Sequence, residues 1–506
     1  MQQVFKYFDE NSLLTKTFSQ KNIVTSVFSL TLMLFGCSKT DPPQDKPDPV
    51  INKPPGSFTV TVSKVSYNYA MIEWSASNDP ENDNIMYSIY LNDKKIADSI
   101  TNILSYKIEN LTPENQYTGY VNATDSKSNS IKEPFALSTT KYYIRFSEIY
   151  GFDDLFTRGV SIAESEDKGF VIAGFCNGWD LALVRIDSLG REIWEKSYQY
   201  IHRSHVEIKK TIDNGYIIVG FRYVLKISGD GNKVWDFVTD FPENDTEYNS
   251  IIPTDDNGYM VVGTGYENGF ENGNENSQVT LTKLDSDGKP EWVKYYGKPL
   301  RSLGFSIEKT SDNNYILLGS SETTNMHIFI IKVDENGQSI WSKIITGGMF
   351  SFPNQIKLTQ DKGFIISSFS MSSMNETWPR IVKIDEEGNT VWDNYYLHDY
   401  ISSLSNAICQ TSDGGYAFTG SVELAVSSSK SACLLVKLKP DGTLDWEKQY
   451  KRDDEVEDFW YVGYDIVQTK DNGFIISAEK SWIYNPPDNN WGFWVFKTDP
   501  YGEYVD

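Results

Sequence analysis

One phrase, written seven times over the second two-thirds of the chain, limits what this sequence can fold into more than any other feature. It is an apolar stretch introduced by an acidic turn: DKGFVIAG (167–174), DNGYIIVG (213–220), DNGYMVVG (256–263), DNNYILLG (312–319), DKGFIISS (361–368), DGGYAFTG (413–420) and DNGFIISA (471–478). A second phrase follows each copy, an alternating stretch that ends in an acidic Gly turn and then Trp. Its copies run from LVRIDSLGREIW and VLKISGDGNKVW to LVKLKPDGTLDW, and the last, VFKTDPYGEY, carries Tyr504 in place of Trp. A repeat of about 45–55 residues built from four short strands is the unit of a β-propeller, because one such sheet cannot cover its own apolar faces and must stack on neighbours.

The punctuation carries its own expectations. Six copies have a turn glycine (Gly169, Gly215, Gly258, Gly363, Gly415, Gly473) and the fourth has Asn314. Asn is the next residue tolerated at positive φ, so these positions are expected to be left-handed. Trp194, Trp235, Trp292, Trp341, Trp392 and Trp446 are expected to begin the outer strands and to pack between sheets. The seventh copy stops before an outer strand of its own. IRFSEIYG (144–151), just ahead of the first copy, matches the outer-strand pattern of EWVKYYG (291–297). A strand from the start of the ring is therefore expected to complete the last sheet and remove the open edge. The expected fold is all-β, a β-sandwich followed by a seven-bladed propeller over 143–506. The repeat phrase resembles those of secreted Bacteroidetes proteins and, more distantly, the PQQ-type repeats of quinoprotein dehydrogenases and of an outer-membrane assembly scaffold. Quinone chemistry is not carried over, since no residue here matches that family's calcium ligand or base.

Ahead of the repeats, residues 57–140 hold short alternating segments such as AMIEWSAS and MYSIYLND, separated by turns, the pattern of an antiparallel sandwich. Trp74 in the second strand, Tyr87 and Tyr90 in the third, and Leu111-Thr112-Pro113 followed by Tyr117 resemble a fibronectin type III domain with its tyrosine corner. The loop 79–84, DPENDN, reads first as an acidic turn and second as a cation site.

Residues 23–36 are uncharged and apolar, with Lys21 just before them. They fall short of the roughly 20 residues that span a bilayer and have the length of a signal-peptide core. The run ends Leu34-Phe35-Gly36-Cys37, which resembles a bacterial lipobox. The resemblance implies a signal peptide over 1–36, cleavage before Cys37, and acylation of that cysteine; several acyl chains hold a protein stably in a membrane. Residues 37–56, rich in Pro and Asp, then form a tether.

A net charge of −24 over 506 residues argues against nucleic acid as a partner. Cys176, Cys409 and Cys433 have no metal-ligand spacing and are expected to be free and buried. No catalytic motif is identifiable and no cofactor is implied. His202 and His205 stand alone on a link. The Asp285-x-Asp287-Gly288 turn lacks the Glu of a calcium loop, and the carboxylates Asp453, Asp454, Glu455, Glu457 and Asp458 have only sequence proximity. The repeated turns share one face of the expected ring, so the variable loops share the other. Trp378, Phe459, Trp460, Trp482, Tyr484 and Trp491 fall in those loops, and exposed aromatics beside Asn and Asp suit sugar faces or peptide hot spots. The function expected is a non-enzymatic binding or scaffold lipoprotein of the outer membrane, facing surface or periplasm, with a glycan or protein ligand. The alternatives are a carbohydrate-active hydrolase or lyase on the same fold and a periplasmic assembly scaffold.

Overall fold

The computed structural model describes residues 51–504, except for 152–157, 177–179, 199–204, 239–245, 267–276, 298–300, 323–324, 348–349, 372–375, 398–399, 401, 424–430, 452–458 and 483–491. Cys37 and the apolar run before it lie outside the described residues, as do His202, the carboxylates at 453–458, Tyr484 and Trp491. The described elements are strands and turns without a helix, and the chain divides into two compact units at Thr140/Lys141.

In the first unit, strands Val60–Val65, Ala70–Trp74 and Ser105–Ile108 form one sheet. Lys94–Ile100, Met86–Leu91, Gln116–Thr124 and Ser130–Ser138 form the other. Between them Phe58, Ile72, Trp74, Tyr87, Ile89, Val121, Phe135 and Leu137 make one core. The Tyr117 hydroxyl accepts the Thr112 N–H at 2.8 Å, pinning the turn that leads into its strand.

In the second unit, each of the first six copies of the double phrase folds into a four-stranded antiparallel sheet with its strands in chain order. The middle strands are covered on both faces by neighbouring sheets, which is why they read as unbroken apolar runs. Phe170–Cys176, Tyr216–Gly220 and Tyr259–Gly265 are buried at every position. Outer strands such as Glu192–Tyr198 alternate between exposed and half-buried, matching their mixed sequence.

The second unit holds seven four-stranded sheets among the described residues, and they close on themselves. Strand Phe146–Tyr150 pairs with Gly492–Lys497 as the fourth strand of the last sheet, with Phe493 opposite Tyr150 and Lys497 opposite Phe146. An apolar cluster fills every junction between successive sheets. The closing junction joins Phe146, Tyr150, Ile475, Phe493 and Val495 of the last sheet to Ile162, Ile172 and Val184 of the first. The first strands of the sheets contact one another in an unbroken circuit, from Arg158–Glu164 around to Phe459–Gln468 and back. A closed circuit of this kind around a central channel is a β-propeller.

The Trp residues do pack between sheets, each on the turn glycine of the next. The Trp235 ring lies where a Cβ on Gly288 would stand only 2.5 Å from it, and Gly288 itself has φ +80°. Phe146 takes the place of the Trp in the closing strand and covers Gly190 of the first sheet in the same way. Tyr150 donates its hydroxyl to the Gly190 carbonyl, as Tyr296 does to Gly337 at 2.7 Å and Tyr450 to Gly502 at 2.8 Å.

The glycines of the D-x-G turns do not hold the left-handed position expected of them. That conformation falls one residue earlier, at Lys168, Asn214, Asn257, Asn313, Lys362, Gly414 and Asn472. Glycine is needed instead because the third strand passes so close: a Cβ on Gly215 would run into the Ile227 carbonyl oxygen. The acid of each turn has a partner the sequence did not announce. Lys226, Lys283, Lys332, Lys383, Lys437 and Lys497 on the third strands reach Asp213, Asp256, Asp312, Asp361, Asp413 and Asp471 at 2.7–2.9 Å, and Arg185 reaches Asp167 at 2.9 Å.

Candidate functional site

The central channel collects the polar chemistry of the second unit. Counting six residues back from the turn Asp in each copy gives Ser161, Glu207, Ser250, Ser306, Gln355, Ala407 and Asp465. All but Ala407 turn a side-chain oxygen to the first strand of the next sheet and accept its backbone N–H. Ser161 accepts from Ile208 at 3.3 Å, Glu207 from Ile251 at 3.0 Å, and Ser250 from Ile307 at 3.3 Å. Ser306 accepts from Ile356 at 3.4 Å, Gln355 from Ile408 at 3.0 Å, and Asp465 from Ile162 at 3.1 Å, which closes the belt. First strands diverge around the channel and cannot pair directly, so a belt of side-chain acceptors satisfies donors that burial would otherwise leave unmet.

One residue nearer the link end, most first strands carry a bulge, where an extra residue bends the strand. The bulged residues include Val160, Asn249, Phe305, Asn354, Asn406 and Tyr464. Three of them bind the next sheet again: Asn249 donates to Gly304 O at 2.7 Å, Asn354 to Ser405 O at 2.5 Å and Asn406 to Gly463 O at 2.8 Å. Val160, Phe305, Asn354, Asn406 and Tyr464 surround a cavity together with His205 and most of the belt. The cavity is about 20 Å³ in volume. A water needs roughly 10–15 Å³, so the cavity suits a water or two.

The ionisable groups of the channel are already committed. Glu207 accepts from Ser250 Oγ at 2.6 Å as well as from Ile251, and its second oxygen lies 2.8 Å from Lys209 Nζ. Burial alone would raise its pKa, but Lys209, Lys357 and Ser250 outweigh it and hold the carboxyl at about 2. Burial would likewise lower Lys209, yet the carboxylates of Glu207, Asp465 and Glu308 around it push it up. Lys357 goes down, through burial and then repulsion from Lys209. Asp465 accepts from Ser161 Oγ, Ile162 N and Ile466 N at 2.9, 3.1 and 2.9 Å. A general acid needs a carboxyl that keeps its proton near neutral pH, and Glu207 is held in the opposite state. Cys176 and Cys433 are free and buried as expected, whereas Cys409 is half-buried; desolvation still pushes the Cys409 and Cys433 thiols to about 12, far from a reactive thiolate.

The aromatic residues singled out from the sequence belong largely to strand ends, not loops. Trp378 lies in Thr377–Ile384, opposite Ser370, and is half-buried. Phe459 and Trp482 are cross-strand partners at the link end of the last sheet's first two strands, far from their D-x-G turn, and Trp460 is paired with Ser481 beside them. Phe459–Gln468 is the longest first strand among the described residues. Trp460 is 39% exposed there. The structure thus places Phe459, Trp460 and Trp482 at neighbouring register positions on one strand pair, with 459 and 460 on opposite faces of their strand. Trp378 stands on the fifth sheet.

No protein-family model matches the sequence, and no curated protein matches it. Solved structures similar to the chain include a protein of unknown function from Bacteroides caccae, 15% identical with a TM-score of 0.37, covering 56% of this chain and 94% of that one. Puromycin hydrolase is 11% identical with a TM-score of 0.45, covering 68% and 52%. The WD40 domain of Toxoplasma gondii coronin is 10% identical with a TM-score of 0.41, covering 76% and 86%. The ring of sheets itself, not these distant likenesses, defines the architecture.

The belt was not visible in the sequence because its members share a position and an acceptor, not a residue type. Its signal was the offset of six residues from each turn Asp.

Proposed function

We propose that this chain is an envelope-anchored, non-enzymatic binding lipoprotein. In this reading Cys37 carries the lipid, and a fibronectin type III-like module stands between the tether and a seven-bladed propeller. The ligand, a glycan or a protein, lies across the link-end face. The observation that carries the reading is the longest first strand among the described residues, whose link end sets Phe459 opposite Trp482 in register and exposes Trp460 next to them. The cavity among the described first strands has room for a water or two, and Glu207 and Asp465 are tied up as belt acceptors, which favours surface contact over chemistry in a pocket. An aromatic group presented on a rigid hairpin supplies large contact area at little cost in conformational freedom.

The test is a glycan array probed with the mature chain, read for both binding and product release, with a pull-down from envelope extract as the protein arm. Retention of a ligand that Trp460→Ala abolishes supports the reading. Release of cleaved product would replace it with the carbohydrate-active alternative. Mass analysis of the membrane-extracted protein tests the anchor: a polypeptide retaining Phe35 and Gly36 rules it out. Protease shaving of intact cells decides between the surface and the periplasmic scaffold role.

A further inference from the structure

We infer that the first unit holds a calcium site at the end of its sandwich, formed by Asp79, Asp83 and Asp125. Asp79 and Asp83 lie in the loop between the second and third strands, and Asp125 opens the turn between Gln116–Thr124 and Ser130–Ser138. The two loops meet, so that each aspartate offers an oxygen within 4.8 Å of the others. A bound Ca²⁺ keeps its oxygens at about 2.3–2.6 Å, which places opposed ligands roughly 5 Å apart. Mg²⁺, at about 2.1 Å, would need a cage nearer 4 Å across. Every donor is a hard oxygen, and no thiolate or imidazole joins the group, which selects against transition metals.

A cluster of acids on a surface needs no cation, but two of these three are buried and Asp83 is half-buried beside them. Asp79 is 7% exposed and Asp125 2%. Asp79 Oδ1 accepts the backbone N–H groups of Glu81 at 2.9 Å and Asp83 at 3.0 Å, while its Oδ2 is buried and has no hydrogen-bond donor in the structure. A buried carboxylate oxygen without a donor is unfavourable and calls for an explanation such as an ion. Asp125 is more fully held, by Lys127 N and Asn129 N on Oδ1 and by Asn52 Nδ2 on Oδ2 at 2.7 Å. The cation present is the Lys127 ammonium, 3.0 Å from Asp83 Oδ2 on a side chain that is 55% exposed. One ammonium leaves two of the three carboxylate charges unbalanced, and its exposed position lets it move aside for a divalent ion.

Asn52 gives the site a consequence. It binds Asp125 through its side chain, and its carbonyl accepts from Asn129 Nδ2 at 3.1 Å, so the segment that enters the module is clasped to the same loops. Calcium would stiffen this entry point.

The experiment is calorimetric titration of CaCl₂ into the full-length chain stripped with chelator, alongside thermal melts with and without calcium. One Ca²⁺ bound per chain, a raised melting transition and weaker binding of Mg²⁺ are expected. Asp79→Asn is expected to weaken calcium at least about tenfold, and Asp83→Asn serves the same purpose should that variant fail to fold. Lys127→Met, which removes the competing charge, is expected to tighten calcium by about threefold, the size of an exposed ion pair; a purely structural role for the acids would give no such gain. Asp287→Asn, in an exposed hairpin turn of the propeller, leaves binding unchanged. Absence of binding up to about 10 mM, above the weakest range of extracellular calcium modules, overturns the site. So does binding that survives both aspartate substitutions.

Discussion

Removing the Glu207 side chain tests whether the acceptor belt holds the ring together. Glu207 is 5% exposed, takes two donors from the third sheet and neutralises Lys209. Its pKa falls from 4.5 to about 2 on folding, so its charged form is favoured in the native state by about 3 kcal/mol. Because the folded pKa lies below the unfolded one, that contribution is complete above about pH 4.5 and is lost as pH falls toward 2. Glu207→Gln keeps an acceptor oxygen in place, the arrangement Gln355 already uses toward Ile408, and gives up only the charge. It is expected to cost about 3 kcal/mol at pH 7. Glu207→Ala also strands the Ile251 N–H and the Ser250 hydroxyl, adding roughly 1–3 kcal/mol. Urea unfolding followed by Trp fluorescence reads both; with m near 3 kcal/mol/M, the Gln variant moves the midpoint by about 1 M. The gap between wild type and Glu207→Gln is expected to shrink between pH 4.5 and 2. Equal stabilities for the Ala and Gln variants would refute the belt, and a gap that ignores pH across that window would refute the electrostatic account.

Gly288→Ala forces an L-residue to φ +80° and drives its methyl into the Trp235 ring; a loss of about 2–4 kcal/mol is expected by the same unfolding assay. Phe146→Ala, at 7% exposure, is expected to cost about 3–5 kcal/mol. Deleting 141–151 leaves the strand Gly492–Lys497 as an open edge, and light scattering should then report self-association. Trp460→Ala is expected to change stability by less than about 0.5 kcal/mol while removing ligand retention; a large stability loss would show that the ring packs the hairpin instead of serving a ligand.

Much of the architecture was legible in the chain because it is written in short-range chemistry. Alternation, turn residues and a repeated period are properties of a few consecutive residues, and seven copies of them stated the sheets and their order. The spare strand at 144–151 stated the closure, since an unpaired edge has nowhere else to go. The D-x-G glycine was read as a conformational requirement when it is a steric one, because the obstacle, the Ile227 carbonyl beside Gly215, lies on another strand. The lysine pins are not legible in the sequence for a related reason: loops of unequal length separate Lys226 from Asp213 and Lys437 from Asp413, so no constant spacing marks them.

The candidate sites sit on the far side of that divide. Phe459 and Trp482 become neighbours only through strand register, and Trp378, in sequence an equal candidate, ends on a different sheet. Ser161, Glu207, Gln355 and Asp465 form one belt although they share no side chain, and Asp79 meets Asp125 only because two loops end at the same edge of a sandwich. Sequence alone determined the repeating sheets, their number of copies and the strand that seals them, since local periodicity and turns specify each sheet on its own. Which polar groups converge was decided by the stacking of sheets around the channel and of loops at the sandwich end, because burial and charge act between residues brought together by packing and not by their order along the chain.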